Sequence, residues 1–181
     1  MATSKATVFL SGRLFWAKVL GNPVPNYGGD AREWVFEFEP DEAGIEVLKK
    51  HKLSDRLKEK DDPKNPDKGR FLVLRQKEFR ADGTPNNPIR IYDAEDNAWD
   101  ATKLIGNASA ADVKLDIRDY GVGKKKGIYP AAIRITDLVG YQSSEFGAMD
   151  KGDEVVEEDA PKPKRGKQAI PAGVLDDDLP F

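Results

Sequence analysis

In the run Glu33–Glu39 (EWVFEFE) aromatic side chains occupy every second position, with Trp34, Phe36 and Phe38 on one face and Glu33, Glu37 and Glu39 on the other. Only an extended strand gathers such residues onto one side, because a helix would spread them around its circumference. The same reading holds for Thr7 to Val19, rich in β-branched and aromatic residues, and for Arg70 to Arg80, Ile89 to Tyr92, Val113 to Asp119 and Ala131 to Val139. Between the second and third of these six runs, Asp41 is placed to cap a helix. Ile45, Leu48, Leu53 and Leu57 fit one side of a helix, or a broken helix, through about Glu59. The stretches DDPKNPDKG, DGTPNNP and GVGKKKG carry the Pro, Asn, Asp and Gly of loops and turns. Six short strands with one inserted helix predict a mainly β fold, a small antiparallel barrel or sandwich over residues 1–141.

After Tyr141 the pattern stops. Residues 142–181 have scattered apolar side chains and no sustained period, so they are expected to form a disordered tail, with 142–175 as linker and 176–181 as a distinct tip. This division changes the meaning of the charge. The whole chain of 181 residues has 29 Lys+Arg, 32 Asp+Glu and a net charge of -3, which argues against a polyanion partner. Residues 142–181 hold ten acids and five bases, a net of -5, so residues 1–141 are basic at +2.

The chain has no Cys and a single His, His51. Thiolate catalysis, disulfides and Cys-ligated zinc or iron–sulfur centres are thereby excluded. His51 lies among Lys49, Lys50 and Lys52 and reads as a surface residue. No apolar run approaches a membrane span and no secretory leader is evident, so a soluble, cytoplasmic protein without cofactor is expected.

The run GRFLVLRQKEFR carries the strongest chemical signal. Leu72, Leu74 and Gln76 share one face, while Phe71, Val73, Arg75, Lys77 and Phe79 share the other, so cations interleave with aromatics. A single-stranded nucleic acid needs that combination, with rings on which bases stack and charges that neutralise phosphates between them. Arg90 and Tyr92 repeat the device opposite Ile89 and Ile91, and Lys114, Arg118 and Tyr120 do so opposite Val113, Leu115 and Ile117. The first strand adds Arg13, Phe15 and Lys18, but both its faces are apolar and the side chosen by Trp16 is open. Lys124, Lys125 and Lys126, followed by Tyr129, form a cationic hairpin tip suited to clamp phosphates. Each residue alone also fits an ordinary solvated sheet face or core position; recurrence over three strands favours binding.

Other motifs carry less. Neither Gly123-Lys124-Lys125 nor Gly166-Lys167-Gln168 supplies the Ser or Thr of a phosphate-binding P-loop. Asp93, Glu95, Asp96 and Asp100 offer a rival reading as a metal-dependent nuclease, against which stands their position in a short connection. A calcium loop is excluded because Ala98 replaces its turn glycine and Leu104 its final Glu. An RNA-binding module is a third reading of the same cationic faces.

The last six residues are Asp176, Asp177, Asp178, Leu179, Pro180 and Phe181. An acidic solubility tail accounts for the aspartates but not for Leu-Pro-Phe placed last; an acidic and apolar peptide on a tether suits a partner with a basic rim and an apolar pocket. This tip resembles the C-terminus of bacterial single-stranded-DNA-binding proteins. The body resembles the replicative single-stranded-DNA-binding proteins of tailed phages, through IRIYD, Ile105-Gly106-Asn107 with Ser109, DVKLDIRDY, a glycine-rich loop and AAIRITDLVGY. That resemblance implies an OB-fold with a helix inserted in its barrel, and no enzymatic activity. It implies binding of single-stranded DNA without sequence preference in replication, recombination and repair, within the host cytoplasm. Through the tip it implies recruitment of polymerase, helicase-primase or nuclease by a monomer or weak dimer, and an acidic tail that competes with DNA for the basic groove. The 34 residues from 142 to 175 would reach about 30–35 Å as a flexible chain, enough to return to the barrel.

Overall fold

In the computed structural model, residues 4–141 are described; the chain divides into two units, Met1–Gly147 and Ala148–Phe181, and every described residue lies in the first. The expected tail and its tip at 176–181 lie outside the described residues.

The alternating runs become strands β1 (Ser4–Lys18), β2 (Val24–Pro25), β3 (Arg32–Pro40), β4 (Leu72–Lys77), β5 (Arg90–Tyr92), β6 (Ser109–Asp119) and β7 (Gly127–Asp137), with helix α1 (Glu42–Lys50) between β3 and β4. The long β1 organises the sheet. One of its edges pairs with β6 from Ser4↔Asp119 to Leu14↔Ser109, and the other pairs with β3. Val35 of β3 lies opposite both Lys18 of β1 and Arg75 of β4, so β1 and β4 flank β3. Beyond β6 come β7 and then β5. One face of this curled sheet is apolar: Leu10, Leu14, Phe36, Phe38, Leu72, Leu74, Val113, Leu115 and Ile133 are buried together.

The expected mainly β architecture with an inserted helix is present, with three corrections. β5 pairs with β7 in parallel, so the sheet is mixed rather than wholly antiparallel. A seventh strand, the two-residue β2, continues the line of β1 along β3. The helical stretch takes the broken form of its two expected ones, and it ends at Arg56 rather than at about Glu59. Asp41 Oδ1 accepts from the Gly44 N–H at 2.7 Å to start it, but Lys52 takes a left-handed φ of 59°, and Leu53 N–H returns to the Leu48 carbonyl at 2.9 Å. Only a short 3₁₀ turn, Ser54–Arg56, follows.

The segment Ile105-Gly106-Asn107 with Ser109 proves to be a structural lock. A Cβ on Gly106 would lie 2.5 Å from the carbonyl oxygens of Val139 and Gly140, so only glycine allows this approach. The buried Ser109 hydroxyl donates to the Gly106 carbonyl at 2.8 Å and accepts from Val139 N–H at 3.0 Å. The exit of β7 is thereby tied to the start of β6. Among the described residues, no helix is long and apolar enough to cross a membrane.

Candidate nucleic-acid interface

No hydrogen-bonded ladder joins β4 to β5 or β7 among the described residues, although β4 packs against β7. The barrel is therefore open along this seam, and the seam is a groove of about 1610 Å³. That exceeds the roughly 300–1,000 Å³ of small-molecule pockets and suits an extended polymer. Arg75 and Lys77 of β4, Phe79 and Arg80 of the following hairpin, Arg90 of β5, Arg118 of β6 and Tyr129 of β7 line it.

Local chemistry positions each of them. The hairpin after β4 turns at Gly83, whose φ of 80° suits glycine, and closes through Arg80 N–H to the Thr84 carbonyl at 2.8 Å. Asn86 then ties it back to β4, its Nδ2 donating to the Lys77 carbonyl at 2.8 Å. Phe79 is held on the lip by a bridge to Pro85, yet 52% of its surface is exposed. Across the groove the Arg118 guanidinium lies 5.0 Å from the Tyr129 ring centroid. The Tyr129 hydroxyl shares a 2.7 Å hydrogen bond with Tyr120, which, with burial, pushes its pKa up. Tyr129 is thus a neutral, braced aromatic wall beside a cation.

The acids of the groove are already engaged. Glu33 binds Arg75 at 3.2 Å. Burial pushes the Asp116 carboxyl up, but Lys5 at 2.9 Å and Thr7 at 2.8 Å outweigh it and hold the pKa below the ordinary value. Lys77, Arg80, Arg90 and Arg118 have no ion pair among the described residues. A concave wall with unmatched cations concentrates positive potential, the field that draws in a phosphate backbone. A second hollow of about 520 Å³ shares Arg75 and Tyr129 with the first and adds Arg56, Lys58, Lys125 and Lys126, extending the basic surface past the β6–β7 hairpin.

Of the residues nominated from sequence, Arg75, Lys77, Phe79, Arg90, Arg118 and Tyr129 meet in the groove and Lys125 in its extension. Tyr120 braces Tyr129 from behind. Lys124 is exposed at the hairpin tip. Lys126 is committed to structure, donating to the His51 carbonyl at 3.0 Å and pairing with Asp119 at 3.4 Å. Lys114 lies 5.6 Å from the Phe9 ring centroid on the outer face of β1 and β6. Tyr92 is half-buried in register with Arg134, and Lys18 is exposed at the far end of β1.

Phe15 and Phe71 depart from the expectation that their rings stand open on the sheet face, since each is only 2% exposed. Phe71 is on the side that its alternation indicates, and Phe15, whose side the sequence leaves open, shares it, but residues 59–70 fold back over both. Lys68 Nζ lies 3.9 Å from the Phe71 centroid and 5.4 Å from that of Phe15, and pairs with Glu37 and Asp62. Arg13 is drawn into the same cover, bound to Glu39 at 2.7 Å and donating to the Asp67 carbonyl at 2.9 Å. The glutamate face of β3 is accordingly no free solvent face: Glu33, Glu37 and Glu39 each hold a cation. Alternation alone assigns Arg80, an even position of this run, to the core side; the hairpin turn reverses that assignment and puts it on the groove.

The acidic connection after β5 does not converge on a metal. Asp93 Oδ1 accepts from the N–H groups of Glu95 and Asn97, Asp100 Oδ1 accepts from Thr102, and Asp96 pairs with Arg134 at 3.3 Å. These are turn caps and a surface ion pair. Among the described residues, no group of three His, Asp or Glu side chains is placed to hold a cation.

No protein-family model matches the chain, and no curated protein matches it in sequence. Solved structures do resemble it. The single-stranded DNA-binding protein from bacteriophage Enc34 in complex with ssDNA matches with a TM-score of 0.53 at 9% identity, over 77% of this chain and 89% of that one. A C-terminally truncated form of the Enc34 protein matches with a TM-score of 0.51 at 8% identity, over 76% and 87%. The gp2.5 single-stranded DNA binding protein encoded by bacteriophage T7 matches with a TM-score of 0.45 at 12% identity, over 78% and 92%. By its likeness to these structures at TM-scores of 0.51 and 0.53, the chain has the fold of the Enc34 single-stranded DNA-binding protein.

Proposed function

We propose that this chain binds single-stranded DNA without sequence preference, holding it in the seam between β4 and β5–β7, and serves phage DNA replication, recombination and repair without enzymatic activity. The observation that carries the reading is the groove itself, where the exposed Phe79 ring and the braced Tyr129 ring stand among Lys77, Arg80, Arg90 and Arg118. Bases stack on such rings for about 1–3 kcal/mol each, and stacking is indifferent to base identity. The match to an Enc34 protein in complex with ssDNA supports the same assignment. In this reading the tip Asp176–Phe181 recruits replication or recombination proteins, and the acidic tail competes with DNA for the groove. Fluorescence titration with single-stranded and duplex oligonucleotides tests it. Preference for the single strand, and loss of about 1–3 kcal/mol of affinity in Phe79→Ala, are expected; equal affinity for duplex would overturn it.

A further inference from the structure

Strict alternation along β1 sends even positions inward, as Leu10 and Leu14 show at 1% and 0% exposure. Trp16 should therefore enter the core. Instead the β1–β3 register shifts between Phe15 and Lys18, and this bulge turns Trp16 outward to 39% exposure. Bulges re-aim side chains at the edges of functional surfaces. Here the backbone also takes a left-handed φ of 49°, an outlying conformation for a bulky aromatic residue.

The surroundings hold this strained residue in place. Asn107 Oδ1 accepts from the Trp16 N–H at 2.8 Å, and Asp62 Oδ2 accepts from the indole Nε1 at 2.8 Å. Lys64 Nζ lies 5.6 Å from the ring. An indole removed from the core at the cost of strain, fixed at both its backbone and its Nε1 and flanked by a cation, has the features of a recognition element rather than a packing one. Two residues beyond it, Lys18 is connected to the groove by register. Lys18, Val35 and Arg75 form one transverse row across β1, β3 and β4, and Arg75 lines the groove. Two strand spacings, about 10 Å, separate the ends of that row.

We infer that Trp16 is a second base-stacking platform, on which an unpaired nucleobase of the strand leaving the groove lies, with Lys18 and Lys64 meeting the adjoining phosphates. This rests on the proposed single-strand binding, and it extends the bound path beyond the groove and across the outer face of the sheet. The Asp62 carboxylate does not oppose it, being engaged with Trp16, Asn65 and Lys68.

The test uses the full chain with fluorotryptophan at its three tryptophans, the Trp16 resonance being assigned by its absence in Trp16→Phe. Oligothymidylate near the upper end of the roughly 4–16 nucleotide range of an OB-fold is titrated in. The Trp16 resonance should shift on saturation. Trp16→Ala should lose at least about fivefold in affinity, and Trp16→Phe, which keeps a ring, should lose less. An unmoved Trp16 resonance, or an affinity within twofold of wild type in Trp16→Ala, would overturn the platform while leaving groove binding intact. Failure of the wild-type chain to bind any oligothymidylate would overturn both.

Discussion

Lys68 Nζ sits 3.9 Å from the centroid of the Phe71 ring, with only 3% of the lysine side chain exposed. A cation over an aromatic face is attracted by the ring quadrupole, and the more so when both are withdrawn from water. Glu37 and Asp62 supply the counter-charges. Lys68→Met would keep the aliphatic cover and remove the charge, leaving two carboxylates without their cation. A loss of roughly 3 kcal/mol in unfolding free energy is expected, measured by urea denaturation. An oligonucleotide short enough to fill the groove alone should bind unchanged under native conditions, because Lys68, Phe15 and Phe71 do not line the groove.

Arg90 and Arg75 should separate in their effects. Arg90 is exposed and has no ion pair among the described residues, so Arg90→Ala should weaken DNA binding and reduce the slope of log affinity against log salt by about 0.7, with stability unaltered. Arg75 is bound to Glu33, which is 6% exposed. Arg75→Ala should also destabilise the fold by roughly 1–3 kcal/mol. Salt-dependent titration together with thermal melts distinguishes the two.

Deleting residues 176–181 should tighten DNA binding at low salt, with the difference fading as ionic strength rises past about 0.1 M, where exposed charges are screened beyond roughly 10 Å. The same deletion should abolish capture of replication proteins in pull-downs from host lysate. Unchanged capture would remove the tip from the mechanism.

Asp62 gives the cover over β1 and β4 a dependence on acid. The side-chain amide of Asn65, followed by the Trp16 indole, the Lys64 N–H and the Lys68 charge, outweighs burial and lowers its carboxyl from 3.8 to about 2. A depressed carboxylate stabilises the folded chain above its unfolded value and loses that contribution as pH falls through the folded one. Between about pH 4 and pH 2 the cover should loosen and Trp16 emission should change. Asp62→Asn should lose this transition, which fluorescence against pH would record.

The strand positions were legible because period two is a local property. Trp34, Phe36, Phe38, Leu72, Leu74, Val113, Leu115 and Ile117 are buried as their alternation indicates. Arg75, Arg90 and Arg118 were legible for the same reason, since each directly follows a core residue, Leu74, Ile89 and Ile117, and Lys77 and Phe79 continue the alternation of Arg75. The covering of Phe15 and Phe71 was not, because residues 59–70 dock on β1 and β3 through Asp67 to Arg13, Lys68 to Phe15 and Glu37, and Gly69 to Glu39, contacts between segments distant in sequence.

By itself the sequence determined where six of the seven strands run, which side of each but the first is apolar, and that Cys-based chemistry is absent. It also placed a basic body before an acidic tail. Tertiary structure alone decided that β4 and β7 stay unpaired, so that cations and rings from four strands and a hairpin face one groove. It decided too that a bulge sends Trp16 out while a returning loop covers Phe71. Periodicity assigns a side chain to a face, but whether that face meets water, another segment or an open seam depends on how distant strands pair and where their ladders stop.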